Sequence, residues 1–124
     1  MFKLFVPCLF LFFSIMAEAN MVSYTLNADI NGYVGVGGEI DGKKNPELTA
    51  MKGDMVMITI VNQNDMPHDV QLTAHNVKSS LVRRKGDEAM IHFTAEQDDF
   101  YLCSLPGHAS AGMKGKFKIQ TSSK

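Results

Sequence analysis

The sequence is short of cysteine, and this shortage limits what the thiol groups can do. Only two of its 124 residues are cysteine, and Cys8 lies in an N-terminal segment that predicts a cleaved signal peptide. Once that segment is removed, Cys103 is the one remaining thiol, so an intramolecular disulfide is excluded. An unpaired thiol in an exported protein is usually deeply buried or bound to something. The shortage therefore favours a metal-bound thiolate before any motif is considered.

An excess of charge of one sign is also missing. The chain has 12 basic and 13 acidic residues, with a formal net charge of −1. Proteins that bind nucleic acid or an anionic membrane surface usually show a clear positive excess. We therefore expect no nucleic-acid partner, and the balanced composition indicates nothing further about partners.

Long apolar runs are limited to the N-terminus, where the run is too short to span a membrane. Lys3 supplies a positive start, residues 4–16 are mostly apolar, and residues 17–19 (Ala-Glu-Ala) fit a signal-peptidase site. A spanning helix needs about 20 apolar residues. We expect residues 1–19 to be a signal peptide and residues 20–124 to form a single domain. This predicts a periplasmic protein with no membrane span after cleavage.

Helical periodicity is absent after residue 19, and short β-prone runs stand in its place. Residues 88–95 and 114–120 alternate apolar and polar side chains, as antiparallel strands with one exposed face do. Further β-prone runs cover residues 22–30, 47–51, 55–62, 68–72 and 100–103. Many short strands between turns predict an all-β fold, either a β-sandwich or a small barrel.

Two segments between these runs are harder to interpret. Residues 31–46 are rich in glycine but lack the Lys-Ser/Thr ending of a phosphate-binding loop. We expect this segment to be a flexible loop or a bulged edge. Residues 74–85 fit a loop, a short helical turn or a strand, and the sequence leaves these alternatives open.

Three potential metal ligands are evenly spaced near the C-terminus. Cys103, His108 and Met113 lie within FYLCSLPGHASAGMKGKF, residues 100–117. Cys103 ends a β-prone run, residues 104–112 would form a loop, and Met113 precedes the final strand. This arrangement can direct three donor atoms toward one point. Thiolate and thioether are soft ligands and imidazole is borderline, a combination that suits copper in its Cu(I) and Cu(II) states.

A trigonal blue-copper site requires a second histidine, and His68 is the natural candidate because it follows Pro67 and begins another β-prone run. His92 lies on the polar face of its predicted strand and is expected to be a surface residue. His75 lies in the ambiguous segment and is only a weak candidate. Taken singly, a cysteine or methionine of this kind is commonly a core residue. Their joint spacing favours a metal site.

The segment YLCSLPGHASAGMKGKFKI, with MPHDV upstream, closely resembles the type 1 copper signature of the cupredoxins, in particular the plastocyanin, auracyanin and azurin group. The longer pattern is also similar to the extra N-terminal cupredoxin domain of some copper nitrite reductases. The resemblance implies a Greek-key β-sandwich and one mononuclear copper. By the same resemblance its ligands would be His68, Cys103, His108 and, as the long axial ligand, Met113.

The resemblance also extends to residues beside the ligands. Pro67, directly before the first histidine, is a plastocyanin-like feature. In the family, an asparagine often follows that histidine and hydrogen-bonds toward the Ser or Thr after the cysteine. Asp69 and Ser104 occupy these positions here, so an aspartate replaces the usual amide.

These features predict an electron-transfer protein that acts as a monomer and docks transiently with redox partners such as a cytochrome, a nitrite reductase or an oxidase. Small or apolar residues flank the two histidines and are the expected docking surface: Met66, Leu105, Pro106, Gly107, Ala109 and Ala111. The alternative is a copper-binding protein for periplasmic copper handling or delivery. We do not expect an enzyme, because a binuclear centre needs a second cysteine and a catalytic copper needs additional histidines.

Overall fold

The computed structural model describes residues 20–121. The predicted signal peptide, residues 1–19, lies outside the described residues. Within this described range, nine strands and one short 3₁₀ turn, Gly38–Ile40, follow one another. The strands are β1 (Met21–Asp29), β2 (Gly32–Val36), β3 (Leu48–Met51), β4 (Met55–Asn62), β5 (Gln71–Leu72), β6 (Val77–Lys78), β7 (Glu88–Thr94), β8 (Asp99–Leu102) and β9 (Lys114–Gln120). Between residues 20 and 121 no helix is long and apolar enough to cross a membrane.

The strands form two sheets that pack face to face. Sheet A has four strands in the order β2-β1-β4-β7, and sheet B has five in the order β3-β9-β8-β5-β6. The β1–β4 and β3–β9 pairs are parallel, and the other pairs are antiparallel. Strands adjacent in a sheet are thus often distant in sequence, as Greek-key connections require. The predicted all-β Greek-key sandwich with a single domain is confirmed.

The core lies between the sheets and follows from the period-two pattern of the strands. In β4, for example, Val56, Ile58 and Ile60 are fully buried while the residues between them are partly exposed. Burying a side chain of this size contributes about 1.5–3 kcal/mol relative to leaving it exposed. From the opposite sheet, Tyr101 packs edge-on against Tyr33, with 5.3 Å between the ring centroids. The alternating sequence therefore fixes which face of each strand is buried.

The strand bounds follow the sequence predictions closely for β4 and β9, but less closely near the histidines. The run predicted at residues 68–72 is a strand only at Gln71–Leu72. His68 instead forms an isolated antiparallel bridge with Val82, in which each backbone N–H donates to the other's carbonyl at 2.9 Å. The ambiguous segment at residues 74–85 contains the short strand β6 and this bridge, and it has no helical turn.

The glycine-rich segment is more ordered than a flexible loop. It contains the edge strand β2 and the 3₁₀ turn, so the expectation of an edge segment is the closer of the two. A Cβ atom on Gly35 would lie 2.0 Å from the carbonyl oxygen of Ile40. Glycine is required there because the chain folds back directly onto this strand.

Candidate metal centre

The predicted ligands meet at one end of the sandwich, where β4 and β8 end and β9 begins. After β4, residues 63–67 lead to His68, whose backbone pairs with Val82. Cys103 directly follows β8, and Met113 directly precedes β9. The intervening loop carries His108. Ligands that are distant in sequence are thus placed by the ends of strands that pack together in the core.

The donor atoms of His68, Cys103 and His108 all lie within 4.8 Å of one another. The Cys103 sulfur is 3.5 Å from Nδ1 of His108, and the two imidazole rings have centroids 5.4 Å apart. His68 and Cys103 are buried, whereas His108 is partly exposed. Two imidazoles and a sulfur therefore converge on one point, and of these three residues His108 is the one that is partly exposed.

Backbone hydrogen bonds hold the loop in this arrangement. The Cys103 N–H donates to the carbonyl of Met113 at 3.2 Å, and the Met113 N–H donates to that of His108 at 3.0 Å. The Met113 side chain is fully buried. The loop therefore ties three of the predicted ligands together, while the axial role of Met113 stays a prediction.

Asn64 determines which nitrogen of His68 is free. The Asn64 side-chain oxygen accepts the N–H group of Met66 at 3.0 Å and lies 3.0 Å from Nε2 of His68. Since the Asn64 oxygen already accepts an N–H group, it is an acceptor toward His68 too. On the neutral ring, Nε2 must therefore carry the hydrogen and donate it to this oxygen. Nδ1 of His68 is then a bare lone pair, and it is buried without a hydrogen-bond partner among residues 20–121. Such a buried, unpaired acceptor is what a metal ligand provides.

Burial also sets the protonation of the two buried donors. It lowers the pKa of His68, and the neighbouring His108 lowers it further. Neutral imidazole is the form that binds metal. Burial raises the pKa of the Cys103 thiol, against the opposing effect of backbone N–H groups of Asp69 and Leu105. A bound cation is therefore what would stabilise the thiolate here.

A second set of hydrogen bonds links the segments that carry His68 and Cys103. Asp69 is 2% exposed, and its carboxylate accepts the Ser104 backbone N–H at 2.7 Å and also the Ser104 hydroxyl. The Asp69 carbonyl accepts the hydroxyl of Tyr33 at 2.5 Å, and burial holds the pKa of that phenol well above its usual value. The aspartate therefore makes the link to Ser104 that the resemblance implied for the usual asparagine.

The two other histidines lie away from this cluster. The imidazole of His75 packs against Phe93, with centroids 4.6 Å apart, its Nδ1 lies 2.7 Å from the Asp99 carboxylate, and its Nε2 accepts the Glu96 N–H at 3.2 Å. Both ring nitrogens are therefore engaged in structural contacts. His92 is exposed on β7, as its position on the polar face predicted.

Sequence reasoning missed Asn64. The only local signal is its place in the polar turn QND before Pro67, a composition typical of side chains that bind nearby backbone groups. Asn62 holds the same turn, because its amide nitrogen donates to the Met66 carbonyl at 2.8 Å. The function of Asn64 depends on that folded path and not on a recognisable motif.

The family described as copper binding proteins, plastocyanin/azurin family, matches residues 43–120 of the chain. The chain belongs to this family. The match includes all four predicted ligands, His68, Cys103, His108 and Met113. The predicted cupredoxin membership is confirmed. A search of curated protein sequences gives no significant match.

Solved structures show the same cupredoxin fold at low sequence identity. Auracyanin A, a "blue" copper protein from Chloroflexus aurantiacus, superposes with a TM-score of 0.61 at 19% identity, covering 82% of this chain and all of that one. Rusticyanin from Thiobacillus ferrooxidans gives a TM-score of 0.64 at 23% identity over 83% and 79% of the two chains. Copper nitrite reductase from Nitrosomonas europaea gives 0.63 at 20% identity, over 82% of this chain and 42% of that chain.

The geometry of this cupredoxin fits a single type 1 copper. Its His68, Cys103 and His108 supply the two imidazoles and one sulfur that define a trigonal copper site. The unpaired Nδ1 of His68 points to the same conclusion from an independent observation. The predicted copper cofactor is confirmed by family membership and donor set together.

Proposed function

We propose that this cupredoxin is a periplasmic electron-transfer protein that cycles one copper between Cu(I) and Cu(II). The observation that carries the proposal is the burial of a preorganised donor set: His68 is 0% exposed and Cys103 is 1% exposed. His68, Cys103, His108 and Met113 would hold the metal. A bound copper would supply the one-electron redox couple, and the chain supplies geometry and surroundings.

The contacts around the donors favour a small structural change between the two oxidation states. Asn64 holds the His68 ring through Nε2. Asp69 accepts the backbone N–H of Ser104, the residue directly after Cys103, and so fixes the backbone there. Partners of this kind orient the ligands and tune a metal site. Ligands that keep their positions need little rearrangement when an electron arrives or leaves.

The electron would enter and leave at His108, the partly exposed histidine of the cluster. Met66 is 38% exposed, Pro106, Gly107 and Ala111 are also exposed, and Leu105 and Ala109 are half-buried. This apolar surface suits short-lived docking of a monomer with a cytochrome, a nitrite reductase or an oxidase, because redox encounter interfaces are small.

The alternatives receive less support from the same contacts. Copper delivery requires exchangeable ligands, whereas His68, Cys103 and Met113 are buried. A catalytic second copper would need His75 and His92, yet His75 is engaged by Asp99 and Glu96 and His92 is exposed on β7. Electron transfer requires neither exchangeable ligands nor a second copper.

Copper loading of the purified protein tests the proposal. We expect Cu(II) to produce an intense visible thiolate-to-copper band, and voltammetry to show a reversible one-electron wave. Cys103→Ser should abolish the band, and copper loss to a chelator should be slow. Weak absorption by the wild type, a band that survives Cys103→Ser, or rapid copper loss would contradict the proposal. Expression of the full chain in a bacterium, with recovery of a protein processed after residue 19 from the periplasmic fraction, tests the location.

A further inference from the structure

The outer face of sheet B carries an ordered group of lysines. In β9 the burial alternates so that Lys114, Lys116 and Lys118 are exposed. Strand pairing sets Lys116 opposite Phe100 and Lys114 opposite Leu102. The row through Leu102 continues to Gln71 and then to Lys78. We call the surface formed by Phe100, Leu102, Lys78, Lys114, Lys116 and Lys118 the lysine face.

The lysine face has an excess of positive charge, although the whole chain has a formal net charge of −1. Of its cations, Lys118 is paired with a carboxylate, that of Asp98, at 3.4 Å. Glu47 directly precedes Leu48, which pairs with Phe117 of β9, so this exposed carboxylate also lies beside the face. Asp99 is turned into the structure, where it binds His75. Four cations therefore face two carboxylates, and the remainder of the chain carries the compensating negative charge.

An exposed aromatic side chain lies at the centre of the lysine face. Phe100 is 45% exposed, and the ammonium group of Lys114 lies 4.3 Å from its ring centroid. An aromatic side chain at the centre of a charged rim is the usual arrangement of a protein–protein contact surface. A solvated strand face would not require an exposed phenylalanine.

The lysine face also adjoins the copper site along the chain. Leu102 directly precedes Cys103, and Lys114 directly follows Met113. A partner bound on this face would contact residues covalently attached to two of the predicted ligands. One end of the lysine face is therefore next in sequence to two of the predicted ligands.

We propose that the lysine face is the electrostatic docking surface for a redox partner that presents a cluster of Asp and Glu side chains. The inference rests on the proposed function, since it specifies the surface chemistry of the partner. Complementary charge speeds encounter and fixes orientation more than it adds affinity. In this proposal the lysines orient the partner, and the apolar residues around His108 complete the contact.

The test uses copper(I)-loaded protein, an oligoglutamate peptide as the acidic probe, and backbone amide NMR shifts. At low salt we expect shifts to concentrate at Phe100, Leu102, Lys114 and Lys116. They should weaken when salt is raised from 0.01 M to 0.1 M, because the screening length falls from about 30 Å to about 10 Å. Lys114→Glu/Lys116→Glu should lower the affinity for the peptide at least about tenfold.

Lys43→Glu/Lys44→Glu is the matched control, because both lysines are exposed in the β2–β3 connection and the charge change is the same. It should leave the affinity within about twofold. Equal losses in the two variants, or shifts centred on Arg83, Arg84 and Lys85, would overturn the proposal, as would tighter binding of a DNA duplex or anionic vesicles to the same face. Reversible voltammetry of both variants separates this failure from failure of the electron-transfer proposal.

Discussion

The carboxylate of Asp69 binds both the backbone N–H and the hydroxyl group of Ser104. The two residues are 35 positions apart, and each directly follows a copper ligand, His68 or Cys103. This single side chain therefore fixes the distance between the two segments that deliver the buried donors. Together with the β5–β8 pairing, the contact links the two segments that carry the buried donors.

Asp69→Ala should weaken the site without abolishing it. The Ser104 N–H would lose its partner, which costs about 1–3 kcal/mol of stability, and loss of a partner of this kind typically lowers metal affinity about 10–100-fold. Competition with a chelator and thermal unfolding measure the two effects. Asp69→Asn keeps an oxygen for the Ser104 N–H and should remain close to the wild type. If asparagine loses as much affinity as alanine, the negative charge is what matters and not the hydrogen bonds.

Asn64→Ala should lower copper affinity by a similar factor, about 10–100-fold, for a different reason. The substitution removes the acceptor that keeps hydrogen on Nε2 of His68, so the ring loses both its orientation and its preferred tautomer. Chelator competition and the visible spectrum measure the change. Asn64→Asp retains an acceptor oxygen and should restore most of the affinity. Gln63→Ala alters the exposed neighbouring amide and should have no effect. If Gln63→Ala lowered the copper affinity as much as Asn64→Ala, the loss would reflect a general loosening of the turn.

The core and the copper donors could be predicted from sequence because both depend on local spacing. The period-two pattern of β7 and β9 assigned their buried faces, and the even spacing of Cys103, His108 and Met113 placed them on one loop. The copper cofactor followed from the chemistry of those side chains. His68 could be selected because it follows Pro67 at the start of a β-prone run, and the resemblance supports the same choice.

The remaining features depend on contacts between segments that are distant in sequence. The burial of His75 requires Asp99, 24 positions away, and the shortness of β5 reflects the pairing of His68 with Val82. Asn64 is close to His68 in sequence, yet its role depends on a turn that Asn62 holds from the end of β4. No local pattern encodes these partners.

His75→Ala should destabilise the fold while leaving the copper site intact. The imidazole fills space beside Phe93 and Phe117, and its loss would leave a cavity and a poorly solvated Asp99 carboxylate. We expect the free energy of unfolding to fall by about 2–4 kcal/mol, measured by denaturant titration. The visible copper band should be unchanged. His92→Ala, at an exposed position, should change stability by less than about 0.5 kcal/mol. Loss of the band in His75→Ala at temperatures where the protein is folded would contradict the structural role.

Met113→Leu tests the axial ligand. The side chain is fully buried, and leucine has nearly the same volume, so the fold should lose less than about 1.5 kcal/mol. If the thioether donates electron density to copper, it stabilises Cu(II) more than Cu(I). Its removal should then destabilise Cu(II) and raise the reduction potential. We expect a rise on the order of 60 mV, a tenfold change in the one-electron equilibrium constant, with the visible band retained. Voltammetry of the copper-loaded variant measures it, and Met55→Leu, at a half-buried position at the start of β4, is the control. An unchanged potential in Met113→Leu would show that Met113 is a core residue and not a ligand.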